Sequence, residues 1–403
     1  FCLSRGLGDV YKRQIYGAAG TGKSTMINYI SSLFKDKQKI FLANTNPAVE
    51  NLRRKVTAEH AEFVTITKFL SKDVSNDCDI LCLDECSTIS NRDMVRVLQR
   101  AQCKLLVLVG DIYQIESILF GNWFNIAYKV MPKDSVAELT RPHRTTVQGL
   151  IEVWNKVREI TEDRLEFITR NGLSSTLDES IFSRTEEDEI VLCLNYDGIY
   201  GINNINKFLQ SNNVNPSINW GVLSYKVGDP VLFNESNRFA PLVYNNLKGK
   251  ILQIEEEEDC IYFTIEVYTV LNELDVIGFD LELKESVTDE TSVIRFKVGR
   301  GGDGNDDNDN VENVVPFQVA YAISIHKAQG LEYESVKVVI TSEIEEMVSH
   351  NIFYTAITRA KSKLKIYWSP ETEKRILENM KVQFNDKDYQ LFKAKYKEAL
   401  LKS

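Results

Sequence analysis

Residues 17–24 read Gly17-Ala-Ala-Gly20-Thr21-Gly22-Lys23-Ser24, and the stretch that follows, TMINYISSLF (25–34), is helical text. The octet matches G-x-x-x-x-G-K-[ST] in full. Small residues let backbone N–H groups close around phosphates at a helix N-terminus. The lysine reaches the β- and γ-phosphates, and the hydroxyl after it binds Mg2+. The expectation is nucleotide binding through Gly17, Gly20, Thr21, Gly22, Lys23, Ser24 and Thr25, with Ser24 as a magnesium ligand. An ordinary glycine-rich turn would account for neither the Lys-Ser pair nor the helix.

Outward from this loop, KIFLA (39–43), DILCLDE (79–85) and KLLVLVGD (104–111) read as buried strands, and AVENLRRKV (48–56) and MVRVLQRA (94–101) read as helices between them. That alternation predicts an α/β fold with a parallel sheet covered on both faces. Asp84 and Glu85 end an apolar run, so their carboxylates emerge at the C-terminal edge of the sheet, where such folds bind ligands. There Asp84 is placed to hold Mg2+ and Glu85 to polarise an attacking water. Together the two motifs predict NTP hydrolysis. Cys78, Cys82 and Cys86 recur at every fourth position. On a strand that spacing puts all three on one buried face, where cysteine packs as a small apolar residue.

Seven cysteines without disulfide-scaffold spacing point to a reducing, cytoplasmic setting. The chain has no apolar stretch of membrane-spanning length and no signal-peptide pattern, so no membrane partner is expected. The opening FCLSRGLGDVYKRQ (1–14) reads as a translated adapter or cloning scar lying where a buried strand should feed the phosphate loop. Lys12, Arg13 and Gln14 suit such a strand poorly.

The net charge of −10 is local in origin. Between Glu255 and Glu312 there are 18 acidic and four basic residues, and the remainder carries 44 basic against 40 acidic. A basic groove for phosphates therefore stays open, since binding follows charge distribution rather than the total. The expected partition is 1–14 non-native, 15–145 a first nucleotide-binding domain, and 146–217 a helical connection with the start of a second. A small β-barrel is expected over 218–297, where VGDPVLFNES and DCIYFTIEVYTV are β-rich with turn signals between strands. A flexible acidic loop (298–313), the remainder of the second domain (314–370) and a helical tail (371–403) complete it.

Further motifs carry a family resemblance. Gly110-Asp111-Ile-Tyr-Gln114 resembles motif III of superfamily 1 helicases, Ala43-Asn44-Thr45-Asn46 motif Ia, and Thr65-Ile66-Thr67 motif Ib. Leu139-Thr140-Arg-Pro-His-Arg144 resembles motif IV. Ser324-Ile-His326-Lys327-Ala-Gln329-Gly330-Leu-Glu332 resembles motif V, and Tyr354-Thr-Ala-Ile-Thr358-Arg359 motif VI. Order and spacing match from Gly17 to about Trp368, and the HKAQG wording is similar to the RecD/Dda branch. The resemblance implies two RecA-like parallel-sheet P-loop domains, the barrel inserted in the second. It implies an ATP- and Mg2+-dependent DNA helicase moving 5′-to-3′ along single-stranded DNA, as a monomer. In that reading Gln114 senses the γ-phosphate, Arg144 and Arg359 reach it from the opposing side, and Gln329, Gly330 and Glu332 help bind nucleotide. Asn44, Thr45, Asn46, Thr65, Thr67, Ser324, His326 and Lys327 touch the strand. RNA as the track, and a nucleotide-controlled switch that does not unwind, are the competing readings. An unrelated P-loop kinase would leave motifs V and VI unexplained.

Overall fold

A computed structural model describes residues 11–18, 20–71, 76–115, 121–234, 238–240, 242–286, 288–300, 313–381 and 386–401. Residues 1–10 of the adapter-like opening, and residues 301–312 of the expected acidic loop, lie outside them.

The first lobe is a six-stranded parallel sheet. Its strands are β1 (Tyr11–Gly17), β2 (Lys39–Ala43), β3 (Ala61–Thr65), β4 (Asp77–Leu83), β5 (Gln102–Gly110) and β6 (Val136–Leu139), in the order β3-β2-β4-β5-β1-β6. Helices α1 (Lys23–Leu33) and α2 (Asn46–Lys55) cover one face through Ile27, Val49 and Leu52. Helices α3 (Ile66–Leu70), α4 (Asn91–Arg100) and α5 (Trp123–Val130) cover the other through Phe69, Val97 and Phe124. The starts follow from the sequence: Thr45 accepts from Ala48 N at the head of α2, Pro47 sits in its first turn, and Ser90 accepts from Asp93 N ahead of α4.

Two expectations change here. The strand feeding the phosphate loop begins at Tyr11, four residues before the expected boundary. Lys12 and Arg13 keep solvent contact, while buried Gln14 donates its amide to the Phe124 carbonyl (3.2 Å). The three cysteines are all buried but do not share a face. Asp79 and Ile80 both donate their N–H to the Gln38 carbonyl, an irregularity early in β4. Cys78 then packs with Leu81 and Leu83, whereas Cys82 packs on the opposite side, and Cys86 lies beyond the strand in a 3-10 turn. Burial pushes the Cys78 thiol up to about 12 and raises Cys82 and Cys86 as well, as suits apolar packing.

Helices α6 (Gln148–Glu159) and α7 (Arg164–Arg170) lead into the second lobe. Its strands β7 (Ser174–Ser175) and β8 (Glu189–Cys193) are followed by α8 (Ile202–Ser211). The chain then leaves for an antiparallel insertion: β9 (Ser217–Trp220), β10 (Leu223–Lys226), β11 (Pro230–Phe233), β12 (Lys248–Glu256), β13 (Cys260–Val267), β14 (Glu282–Lys284), β15 (Ser292–Gly299) and β16 (Phe317–Val319). It returns through β17 (Ala322–Ser324), β18 (Tyr333–Val339), α9 (His350–Ile357), β19 (Ala360–Tyr367), α10 (Pro370–Asn379) and α11 (Asp386–Leu401). The second parallel sheet runs β17-β8-β18-β19-β7.

Strands of the insertion pair as β14-β15-β13-β12-β11-β16, with β9-β10 a separate hairpin. Both cover one aromatic core of Tyr225, Phe233, Phe263, Phe296 and Phe317. The insertion thus continues to Val319, past the expected limit of 297, because β16 pairs with β11 before the chain re-enters the lobe. Among the described residues β14 and β16 do not pair, so this ladder is open. No helix of the described residues is long and apolar enough to cross a membrane.

Candidate nucleotide site between the lobes

In the first sheet β1, β4 and β5 run parallel, so Gly17, Asp84 and Gly110-Asp111 all leave at one edge. Gly22, in the left-handed region, caps α1, whose first residues are Lys23 and Ser24. Gly20 is also left-handed (φ +73°), and a Cβ there would fall 2.4 Å from Arg144 Cβ, so the loop accepts no side chain. The backbone N–H of His143 donates to the Gly20 carbonyl (2.5 Å). Lys23 Nζ donates to the Gly17 and Ala18 carbonyls (2.9 and 3.0 Å). Burial lowers its pKa, against the pull of Asp111 and Asp84.

Three carboxylates face this cation. Burial raises the pKa of Asp84, whose Oδ1 accepts the Glu85 N–H (2.8 Å), and that of Asp111, whose Oδ1 accepts from Tyr113 N (3.0 Å). Burial first, and the charge of Asp84 second, push Glu85 up to about 7. Glu85 also holds a left-handed backbone (φ 51°), unusual for a non-glycine residue and consistent with a constrained functional position.

The second lobe closes the site. A cavity of about 250 Å³ is lined by phosphate-loop residues 20–25, Asp84, Glu85, Gln114 and Arg144, and by Gly330, Glu332 and Arg359 of the second lobe. Buried Arg359 spends its donors on the Thr355 and Leu331 carbonyls and on the Thr358 hydroxyl (3.0, 3.2 and 3.3 Å). Burial lowers its pKa to about 10, reinforced by Arg144. Arg144 donates to Glu332 Oε1 and to the Thr358 carbonyl, both at 2.6 Å. Burial works against ionisation of Glu332, yet Arg144, Lys55 and Arg359 hold its pKa down at about 2. Arg144 is therefore not supplied from the opposing side as expected. Its backbone packs on the phosphate loop just after β6, and only its side chain crosses.

Other expected residues divide. Gly17 holds the loop by accepting from Lys23 but does not line the cavity, and Gln329 donates to the Ile115 carbonyl across the lobes (3.3 Å). Asn44, Thr45 and Asn46 follow β2, Thr65 ends β3 and Thr67 lies in the first turn of α3, at the same edge as the nucleotide loop; Asn44, Thr45, Asn46 and Thr67 are exposed. Thr45 and Thr65 also cap α2 and α3. On the second lobe Ser324 is buried, His326 is exposed, and Lys327 Nζ donates to the side-chain oxygens of Gln318 and Asn234 (3.0 and 3.3 Å). Sequence reasoning missed Asn51, Lys55 and Ser87, which also line the cavity, and gave no role to Asp111. Asn51 donates to the Gly330 carbonyl (3.0 Å). Asp111 was legible inside its motif, but Asn51 and Lys55 are exposed-looking letters of an amphipathic helix.

The donor set suits magnesium: a hydroxyl at Ser24, the Asp84 carboxylate, and a buried Asp111 Oδ2 without a hydrogen-bond partner all face one cleft. Ser24 and Asp84 would hold the ion. Among the described residues no cluster of three His, Cys, Asp or Glu forms a metal cage.

Two family models match the chain: an AAA domain over residues 11–178 and a UvrD-like helicase C-terminal domain over residues 319–367. The RecD subunit of the RecBCD enzyme of Mycolicibacterium smegmatis is 22% identical, over 76% of this chain and 52% of that protein. The ATP-dependent DNA helicase Pif1 of Campylobacter jejuni is 23% identical over 87% of each. Bacteroides Pif1 helicase, in a crystal structure with ADP-AlF3 and ssDNA, superposes with a TM-score of 0.51 at 17% identity, covering 90% of this chain and 89% of that one. The chain spans about half the length of that RecD subunit. Fold and site together define a two-lobed P-loop nucleotide-binding protein. Within that class, the two matched models and the relatives support a likeness to the RecD/Pif1-like group of superfamily 1 helicases.

Proposed function

We propose that this chain is an ATP-dependent DNA helicase or translocase that couples hydrolysis to movement along single-stranded DNA, working as a monomer on two RecA-like lobes. The observation that carries the reading is Arg144. Anchored on the phosphate loop, its side chain ties Glu332 and Thr358 of the second lobe to the nucleotide cleft. A charge change at the γ-phosphate therefore acts on the contact between lobes. The insertion, with its single aromatic core, is read as a barrel-like module riding on the second lobe.

In this mechanism the backbone N–H groups of residues 20–24 and Lys23 bind the phosphates, and magnesium when bound neutralises their oxygens. Glu85, kept near neutral pKa by burial, takes a proton from the attacking water oriented with Gln114. Arg144 and Arg359 stabilise charge developing on the transferred phosphoryl group. Loss of that charge after hydrolysis weakens the pull between lobes. The exposed polar groups after β2 and β3 and those after β17 would then alternate their grip on a strand. The Bacteroides Pif1 structure with ssDNA and the ATP-dependent DNA helicase Pif1 of Campylobacter jejuni support DNA as the track, and 5′-to-3′ travel is proposed on the motif resemblance.

The test is steady-state ATP hydrolysis with no polymer, with single-stranded DNA and with single-stranded RNA, using Lys23→Ala as the blank. Stimulation by DNA that disappears in the variant is the expected result. Stimulation by RNA alone would move the track to RNA, and hydrolysis indifferent to both would remove the motor assignment.

A further inference from the structure

Lys248, the first residue of β12, belongs to the insertion but ends on the motif that forms the nucleotide cleft. Its Nζ donates to Asp188 Oδ1 (2.7 Å) and to the Glu332 carbonyl (3.3 Å). It lies 4.1 Å from the ring centre of Tyr333 and 5.2 Å from that of Tyr268. Asp188 completes the clamp, its Oδ2 accepting the Glu334 N–H and its carbonyl the Ser335 N–H, both at 3.1 Å. The backbone on either side of Tyr333 is thus fixed from the insertion and from the β8 end at once. Glu332, at the head of this stretch, is the carboxylate that pairs with Arg144.

We propose that Lys248 is a positioning residue for the ATP site, holding the Glu332 backbone so that its carboxylate meets Arg144. The inference rests on the function proposed above. Glu332 and a γ-phosphate are both anions suited to the same guanidinium, so the placement of Glu332 sets how readily Arg144 turns to the phosphate. The chain of contacts reaches further: Arg54 of α2 donates to the carbonyl of Tyr268, whose ring flanks Lys248. Helix α2 begins at the residues proposed to touch the strand. The insertion thereby connects the helix that follows the proposed strand contacts with the nucleotide site through one run of side-chain and backbone contacts.

A double-mutant cycle tests this, reading kcat and KM for ATP at saturating oligo-dT, with melting temperatures recorded alongside. Lys248→Met keeps the stem between the tyrosine rings and removes the donors, Lys248→Arg restores a cation, and Lys250→Met is a neighbouring control that bonds only Glu187. Lys248→Met is expected to lower kcat about tenfold, and less than about twofold in a Glu332→Gln background, because the two residues act as one unit. Lys248→Arg should recover most of the loss, and Lys250→Met should lose nothing. Equal fold losses in both backgrounds, or an unchanged kcat in Lys248→Met, would overturn the assignment while leaving the helicase reading in place. An unmodified chain that hydrolyses no ATP would remove that reading, and this one with it.

Discussion

The two parallel lobes share a plan and differ in what they bring to the cleft. The first offers an anion cradle at the head of α1 and three carboxylates, buried Asp84 and Asp111 and half-buried Glu85. The second offers a buried guanidinium, Arg359, whose hydrogen bonds among the described residues go to neutral oxygens, and one carboxylate, Glu332. In the proposed mechanism neither half is a complete catalyst. The cradle can bind a nucleotide alone, but the charge complement for phosphoryl transfer exists only when the lobes meet. Division of labour of this kind makes hydrolysis report on lobe contact, which is what a motor needs.

The sharpest way to break the comparison is Arg359→Ala. Without the second lobe's cation, kcat is expected to fall by about 10³-fold or more, the usual worth of an arginine finger. Equilibrium ATP binding, set by the first lobe, should change only a few-fold. A drop in binding as large as the drop in kcat would place Arg359 in ground-state recognition instead. Glu85→Gln is the matching change on the first lobe. It should cost about 10²- to 10⁴-fold in kcat with ATP still bound, the range for a positioned general base. Single-turnover hydrolysis with separately measured nucleotide affinity distinguishes the two roles.

How far this division was legible in the sequence depended on how local each signal was. The Asp-Glu pair and motif III each end an apolar run, so strand polarity alone carried them to one sheet edge, whereas the strand feeding the phosphate loop reads YKRQIYG and the loop was legible only from its own octet. Arg144 fell inside the expected first domain (15–145) while the resemblance put it across the cleft, and β6, which reads VAEL, a short edge strand with half-exposed and exposed positions, gave no apolar run to decide between the two. The insertion's end was missed because β16 stands two residues from β17, and only pairing with β11 assigns it to the antiparallel sheet. The cysteine face was misjudged because strict alternation fails where two N–H groups share the Gln38 carbonyl. Nothing local announced Asn51 or Lys55, which reach the cavity only because α2 lies across from Gly330.

The second lobe also differs in being split by its insertion, and a core substitution tests whether that module folds on its own account. Phe263 is fully buried with Tyr225 and Phe317 around it, ring centres 5.2 and 5.0 Å away. Phe263→Ala should cost about 3–5 kcal/mol, the price of a large aromatic cavity. Calorimetry is expected to show the insertion melting early while Lys23-dependent nucleotide binding persists below that transition. One merged transition, displaced as a whole, would mean that insertion and lobes form a single cooperative unit.

The smallest effects separate the lobes as strand-binding surfaces. Asn44, Thr45, Asn46, Thr65 and Thr67 on the first lobe are neutral, whereas the second contributes Lys327, whose ammonium rests on two neutral side-chain oxygens and so keeps its charge for a phosphate. Lys327→Ala should weaken single-stranded DNA binding and reduce the slope of log K against log salt by about 0.7, the release expected for one phosphate contact on a single strand. Thr45→Ala should leave that slope unchanged, since no charge is lost. Its cost is expected instead in stability, about 1 kcal/mol, because the Thr45 hydroxyl accepts from Ala48 N as the cap of α2. Thr45→Ser, which keeps the cap, should restore stability. Fluorescence anisotropy with labelled oligo-dT across a salt series, paired with denaturant melts, reads both quantities. If Thr45→Ala lowers the salt slope as much as Lys327→Ala does, the two lobes do not divide neutral and charged contacts between them, and the grip on the strand is shared evenly.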